Sequence, residues 1–245
     1  MLKSFLKKSR DLQRINDRLK IFLKKRQRGD QIESYLSSHA ERKLHLGCGT
    51  NFLEGWFNTD QSRHDPELAY LDVTETFPLP DQSFDYILAE HIIEHISRLD
   101  AERMIAECFR ILRPNGVLRI GTPDLERYLS LYRDPPSEIG QDCIRDIFDS
   151  WIFPGFHKAR QYAPASGDYS PIFVVNDIFM NYEHRFLYDY ALLRKMTLAA
   201  GFGACTRNEA GSSIHAPLNR VETHVDRVNT HLTVTIEAVK TPASR

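Results

Sequence analysis

The chain has 245 residues and a net charge of −1, a length that suits one sizeable buried core with appendages. Hydrophobic residues make up 42% and charged residues 27%, so the composition excludes a collagen-like or wholly disordered chain. No run approaches 18 apolar residues, and the four scattered cysteines form no CxxC pair. We therefore expect a cytoplasmic protein with reduced thiols and neither a membrane span nor a signal peptide.

The first 28 residues differ in character from the rest. Their eleven Lys and Arg against two acids give +9, which leaves −10 for residues 29–245. Apolar residues recur there at three- and four-residue steps, the pattern of an amphipathic helix: Leu2, Phe5, Leu6, Leu12, Ile15, Leu19, Phe22 and Leu23. Such a basic arm binds either the inner face of an anionic membrane or a partner, or it docks on the acidic body. Nucleic acid is not expected, because the body has no basic stripe interleaved with aromatics.

The amphipathic pattern of the basic arm ends at Gly29 and Asp30, and a short polar helix is predicted over 31–40. Strands are predicted at 43–46, 57–60, 69–72, 84–89, 117–120 and 232–239, and helices over 97–112 and 189–200. Short strands that alternate with helices or crossovers indicate a parallel sheet with helices on its faces. Between 125 and 183 the chain is rich in Pro, Gly and aromatics, which predicts an insertion covering the sheet. We expect an arm (1–28) and one α/β domain (29–245) whose insertion (125–183) is a lid over the acceptor.

The first predicted strand runs into Gly47-Cys48-Gly49, a tight turn that lets a ligand approach the backbone. Position 52 is Phe52 instead of the third glycine of a dinucleotide fingerprint, and no Lys-Ser or Lys-Thr of a phosphate loop follows. An acid ends each of the next two strands, Asp60 and Asp72, where a carboxylate can accept hydrogen bonds from ribose hydroxyls or an adenine amine. The pattern favours an adenosine ligand without a diphosphate. The alternative is that both aspartates cap helices or form turns. Cys48 is expected to be a small residue that fills the tight turn, without a nucleophilic role.

Three stretches resemble the class I S-adenosylmethionine-dependent methyltransferases: LHLGCGTNFLEGWFNTD (44–60), YLDVTETFPLPDQSFDYILAEHIIEHI (70–96) and ILRPNGVLRIGTPD (111–124). The likeness is greatest to those of bacterial polysaccharide and natural-product gene clusters. It implies a Rossmann-like, mostly parallel seven-stranded sheet flanked by helices, and S-adenosylmethionine as cofactor. It also implies that the cofactor-binding residues are Gly47, Cys48 and Gly49 at the methionine part, Asp60 and Gln61 at the ribose, Asp72 and Val73 at the adenine, and Ala89, Glu90 and His91 beside the sulfonium.

Methyl transfer to a hydroxyl needs two aligned ligands and a base that takes the hydroxyl proton. The candidate catalytic bases are His91, His95 and His184. On one helix His91 and His95 would share a face, and a neighbouring acid such as Glu94 could orient an imidazole. The alternative is that Glu94 and His95 begin a solvated helix.

The segment EHIIEH (90–95) does not have the HExxH order of a zinc site, and no Asp/Asn cluster accompanies it. We predict no metal ligands, and a magnesium-assisted transfer is a minor alternative.

The polar and aromatic segment 181–186 follows the insertion and suits a sugar-like acceptor, to which Trp151, His157, Tyr162 and Tyr169 could add. The sequence thus predicts O-methylation of a sugar or glycan. One alternative is methylation of a small metabolite. Another is a Rossmann-like binding module without catalysis, recruited by its basic arm. Most aromatics of the insertion, Trp151, Phe153 and Phe156 among them, are expected to form a small core of its own.

Overall fold

The computed structural model describes residues 2–61, 68–133, 137–155, 159–161, 163–164, 167–223 and 225–242, and gives side chains for all of these except 2–18, 20 and 160. Its strands are β1 (Lys43–Leu46), β2 (Phe57–Asp60), β3 (Ala69–Tyr70), β4 (Phe84–Glu90), β5 (Leu112–Pro123), β6 (Ala204–Asn208) and β7 (Thr233–Val239). Its α-helices are α1 (Leu2–Ser38), α2 (Arg98–Ile111), α3 (Leu125–Arg133), α4 (Glu138–Ile147), α5 (Pro171–Met180), α6 (Tyr190–Ala199) and α7 (Arg227–Leu232).

The seven strands form one sheet in the order β3-β2-β1-β4-β5-β7-β6. Strands β1 to β5 pair in parallel, and β7 runs antiparallel between β5 and β6. The predicted α/β fold with a mostly parallel seven-stranded sheet is confirmed. Because the carboxyl ends of parallel strands meet at one edge, the residues that follow β1, β2 and β4 come together there.

The connection between β1 and β2 is short and contains no helix over residues 47–56. The sheet face beside it is covered from far along the chain: Leu218 and Val221 pack on Trp56, Leu88 and Val117. A segment after β6 thus replaces a crossover helix, and Val221 O accepts a hydrogen bond of 3.0 Å from the Asn51 side chain in the glycine-turn loop. Nothing local in the sequence pointed to this cover.

Helix α1 continues through Gly29 and Asp30 to Ser38, so the expected break at these residues is wrong. The reason is tertiary, because the C-terminal part of α1 packs on the sheet. Tyr35 is buried, and its hydroxyl donates to the Lys43 and Gly55 carbonyls at 3.0 and 3.1 Å. Further up the helix, Lys25 forms a 2.7 Å ion pair with Glu75. These contacts outweigh the helix cost of one glycine, about 1 kcal/mol.

A small hydrophobic cluster lies in the insertion, but it also includes Leu232 of α7, which is outside residues 125–183. Residues of α3, α4, α5 and α7 form it together with the π-turn Phe148–Ile152: Leu131, Cys143, Ile144, Ile147, Phe148, Ile152, Val174 and Leu232. Phe153 packs against this cluster, whereas Trp151 keeps 38% of its surface exposed. His157, Tyr162 and Phe156 lie outside the described residues.

Several predicted element boundaries shift. Strand β5 begins at Leu112, so Pro114 and Gly116 lie inside it, while β3 ends at Tyr70, two residues early. Residues 227–232 form α7 immediately before β7. Among the described residues, no helix has the length and apolar character needed to cross a membrane.

Candidate active site

The glycine turn after β1 has the backbone that its residues require. Gly47 and Gly49 adopt φ of +58° and +52°, the left-handed region that glycine enters at little cost. A Cβ on Gly47 would lie 2.1 Å from Ile92 Cδ1, whereas a Cβ on Gly49 would meet nothing within 4 Å. The turn is therefore closed on the Gly47 side and open on the Gly49 side, which is the kind of space a ligand held against the backbone needs. Cys48 is buried, as expected of a residue that fills the turn.

The two predicted ligand-binding aspartates hold the loops around them. Asp60 Oδ2 accepts a hydrogen bond of 3.1 Å from Gly49 N, which ties the end of β2 to the glycine turn. Asp72 Oδ1 accepts from Thr74 N and Oγ1 at 2.9 and 2.7 Å, and its Oδ2 accepts from Gln61 Nε2 at 2.7 Å. Asp72 therefore has the turn-forming role that the alternative interpretation assigned to it. A carboxylate accepts about four hydrogen bonds, so this role leaves capacity for a ligand.

The end of β4 brings the third predicted group to the same edge. Ala89 is fully buried, and Val73 is also buried. Glu90 is nearly buried, and its carboxylate accepts hydrogen bonds of 3.0 and 3.2 Å from Thr223 N. Thr223 thus fixes a predicted cofactor residue from 133 positions away, and sequence analysis missed it because no local pattern marks it.

His91 is not on a helix with His95, contrary to the sequence expectation. It has a φ of +48°, and the residues after it form a single 3-10 turn, Ile93–His95. This geometry still brings acid and imidazole together, because His91 Nδ1 lies 2.9 Å from Glu94 Oε1. Glu94 is fully buried, and its other oxygen accepts 2.9 Å from Thr122 Oγ1. The interpretation of Glu94 as the start of a solvated helix is therefore wrong.

The contact between His91 and Glu94 shifts the pKa of both side chains. Burial alone would lower the pKa of His91, but the hydrogen bond and charge of Glu94 outweigh it and raise that pKa above its ordinary value. Burial would likewise raise the pKa of Glu94, but the hydrogen bond and charge of His91 lower it. The buried carboxylate thus stays ionised and holds the imidazole.

A cavity of about 380 Å³ opens beside this pair, between the sheet edge and the insertion. All three predicted bases line it, with Glu94 and Pro123 from the sheet side. The insertion and the segments after it supply Tyr128, Asp146, Ile147, Trp151, Asp177, Ile178, Tyr182, Val228, Asn229 and Leu232. The predicted catalytic residues are thus brought to one place, and polar groups and aromatic rings share the walls. Tyr169 is not among the lining residues.

His184 sits where the segment after α5 returns to the sheet. The segment is held by Arg185 N, which donates to Glu94 O at 2.7 Å. The His184 ring stacks on Tyr182 at 5.4 Å between centroids and lies 5.0 Å from the His95 ring. Its Nδ1 is 2.7 Å from Ile178 O. Burial lowers the pKa of His184, so the ring is neutral at neutral pH.

Similarity to known proteins was found over part of the chain. Residues 56–120 match the model of a methyltransferase domain. A Mycolicibacterium smegmatis protein named as a probable S-adenosylmethionine-dependent methyltransferase is 45% identical over 47 residues, 19% of this chain and 18% of that protein. A Mycobacterium tuberculosis protein of the same description is 43% identical over 47 residues, 19% and 16% of the two chains. The match therefore spans under a fifth of the length of these curated relatives.

Among solved structures, an S-adenosylmethionine-dependent methyltransferase from Archaeoglobus fulgidus is similar at 15% identity and a TM-score of 0.46, covering 89% of this chain and 93% of that one. Residues 56–120 thus resemble a methyltransferase domain, and the curated relatives that match part of this chain are named as probable S-adenosylmethionine-dependent methyltransferases.

Proposed function

We propose that the protein transfers the methyl group of S-adenosylmethionine to a hydroxyl of a sugar or glycan. One observation carries the proposal: His91 lines the acceptor cavity and directly follows Ala89-Glu90, which belong to the predicted cofactor edge. A single residue thus connects the two places that methyl transfer must bring together. The match of residues 56–120 to a methyltransferase domain supports the cofactor half.

Different residues would bind different parts of the cofactor. The open side of Gly49 would receive the methionine part, and Asp60, already hydrogen-bonded to the Gly49 amide, would accept from ribose hydroxyls. Asp72 and Gln61, bonded to each other, would take the adenosine end. When bound, S-adenosylmethionine would supply a methyl group activated by its sulfonium; the acceptor oxygen would take this methyl group, and the electron pair of the broken S–C bond would stay on sulfur.

His91 is the base in this proposal. Its Nδ1 faces Glu94, an arrangement in which a carboxylate fixes the ring while the imidazole takes the hydroxyl proton. Replacing His91 with Gln should lower kcat by a factor of about 100 to 10,000, the usual contribution of a general base, and this loss should exceed any loss of S-adenosylhomocysteine affinity. The matched control is His215→Gln, because His215 does not line the cavity. Unchanged kcat in His91→Gln would remove this residue from the chemistry.

The cofactor is tested first by thermal unfolding and calorimetry. A ligand that binds only the folded state stabilises it by RT ln(1 + [L]/Kd), about 2.7 kcal/mol at one hundred times Kd. S-adenosylhomocysteine should raise Tm, and Asp60→Ala should reduce the rise. A Tm that responds to NAD and not to S-adenosylhomocysteine would overturn the cofactor assignment.

The acceptor class follows from the walls of the cavity. Trp151 and Tyr182 pack edge to face at 5.6 Å, and Asp146 and Asp177 add acceptors, a combination that suits ring stacking with hydrogen bonds to hydroxyls. Labelled methyl should enter saccharide fractions of the cell envelope, and Trp151→Ala should raise KM more than it lowers kcat. Transfer only into small metabolites would favour the alternative acceptor class.

We further propose that the basic arm contacts an anionic membrane surface. In the described part of α1, Leu19, Phe22 and Leu23 are each more than half exposed. Further along the helix, Lys25, Arg28 and Tyr35 contact the body. Vesicles containing an anionic lipid should sediment the wild type. A Leu19→Ser, Phe22→Ser variant should bind less, and vesicles of zwitterionic lipid should bind neither. Equal sedimentation of both proteins would contradict this contact.

A further inference from the structure

We propose that Glu94, His95 and His184 bind a divalent transition-metal ion inside the acceptor cavity; only the use of the ion rests on the proposed methyl transfer. One ligand atom from each residue lies within 4.8 Å of the other two. In the described ranges of the chain, no other group of three or more His, Cys, Asp or Glu side chains meets this criterion. Two imidazoles and one carboxylate form a ligand set that zinc enzymes use, with a further position left for water or substrate.

The cluster is held together by backbone contacts. Glu94 and His95 lie in the 3-10 turn after β4, and His184 comes from the segment after α5. That segment is clamped to the turn because Arg185 N and Phe186 N both donate to Glu94 O, at 2.7 and 3.3 Å. The two parts of the site are therefore fixed relative to each other before any ion binds.

The groups behind two of the ligands orient them as metal ligands are usually oriented. A carbonyl only accepts, so His184 Nδ1 carries the proton in its 2.7 Å contact with Ile178 O, and Nε2 of the neutral ring presents its lone pair. A metal-binding histidine almost always donates its other N–H in this way. Thr122 and His91 each hold one oxygen of the buried Glu94, and each oxygen keeps a further lone pair.

The charges around the cavity favour a cation. Glu94, Asp146 and Asp177 line it, and none of its described lining residues is Lys or Arg. The two nitrogen ligands select the kind of ion, because imidazole suits zinc, cobalt and similar ions, whereas magnesium and calcium prefer oxygen ligands. An acceptor hydroxyl at the open position would be polarised, which is the ion's use in the proposed reaction. His95 and His184 are then ligands, and His91 remains the base.

The test is calorimetric titration of the chelator-treated full chain with Zn²⁺ and with Co²⁺, whose visible absorption also reports its ligands. We expect one ion per chain, and His95→Ala or His184→Ala should each weaken binding at least about tenfold. Glu94→Gln keeps the shape of the side chain and should also weaken binding. The matched control is His215→Ala, which removes a histidine outside the cavity and should bind like the wild type. Circular dichroism and Tm show whether each variant folds, and His184→Gln serves if an alanine variant does not.

Binding that is absent, that survives in both His95→Ala and His184→Ala, or that is equally strong for Mg²⁺ would overturn the proposal. The same samples are titrated with S-adenosylhomocysteine, so the two proposals fail separately. Binding of S-adenosylhomocysteine without Zn²⁺ or Co²⁺ binding removes only the metal site. Metal binding without any response to S-adenosylhomocysteine would contradict the proposed methyltransferase function and support the metal site.

Discussion

The two glycines of the turn after β1 share a backbone conformation but differ in surroundings, which gives a sharp prediction. Alanine at either position has to adopt a φ near +55°, which costs about 1 to 2 kcal/mol. Only at Gly47 would the new Cβ also collide with Ile92, at 2.1 Å from Cδ1 and 3.2 Å from Cγ1. Overpacking of this kind adds about 1 to 3 kcal/mol. Gly47→Ala should therefore lower the free energy of unfolding by roughly twice as much as Gly49→Ala.

Urea unfolding measures the two losses, and Tm should fall by about 2 to 4 °C per kcal/mol for a chain of this length. The clash has its own control, because Ile92→Val removes the Cδ1 methyl. In the Gly47→Ala background this second change should restore stability instead of reducing it further. The double-mutant coupling should then be about 1 kcal/mol or more. Equal losses at the two glycines, or no coupling to Ile92, would refute the packing argument.

The two glycine variants should differ in the opposite order in ligand binding. Gly47→Ala should lose more stability, and Gly49→Ala should lose more affinity for S-adenosylhomocysteine. A methyl group on Gly49 points into open space, where the proposal places the methionine part of the cofactor. Gly49→Ala should therefore weaken S-adenosylhomocysteine binding about tenfold or more, about 1.4 kcal/mol, although it destabilises the fold less than Gly47→Ala does. Unchanged affinity in calorimetry would mean that the open side of the turn is not where the ligand lies.

Three further predictions concern polar side chains that hold the fold together. Burial lowers the pKa of His45 to about 4, so the unfolded chain binds a proton on this side chain more readily than the folded chain does. The free energy of unfolding should therefore fall by up to about 3 kcal/mol as the pH is lowered from 6.5 to 4. The fall should be smaller in His45→Asn. Arg119 has no exposed surface and pairs with two carboxylates, and Glu222→Ala removes one of them. Urea unfolding should show a loss of about 3 to 5 kcal/mol in the free energy of unfolding. A loss below about 1 kcal/mol would contradict the stabilising role of this buried pair. Asp72→Ala removes both bonds from Thr74 and should cost about 1 to 3 kcal/mol and also weaken S-adenosylhomocysteine binding; an unaltered affinity would confine Asp72 to the turn.

Sequence alone was sufficient for elements whose pattern is local. The apolar run that predicts a strand over 84–89 is β4, and the helix predicted over 97–112 is α2, which Ser97 caps by accepting from Asp100 N at 3.1 Å. The glycine turn and the acid at the end of β2 were also predictable from sequence, because each directly follows a strand pattern. Parallel strands place their carboxyl ends at one edge of the sheet, so the two features could be expected to lie close together. Periodicity, capping and turn chemistry act within a few residues, so a single chain displays them.

Other features were decided only by contacts between distant segments. Docking of Tyr35 on the sheet carries α1 through Gly29, and Thr223 fixes Glu90 from the far end of the chain. His184 meets Glu94 because the return from the insertion is bonded to the turn after β4. Such pairings depend on which surfaces pack and where loops close, and their energies depend on three-dimensional burial. A local pattern identifies residues capable of chemistry, but only packing determines which of them share a cavity.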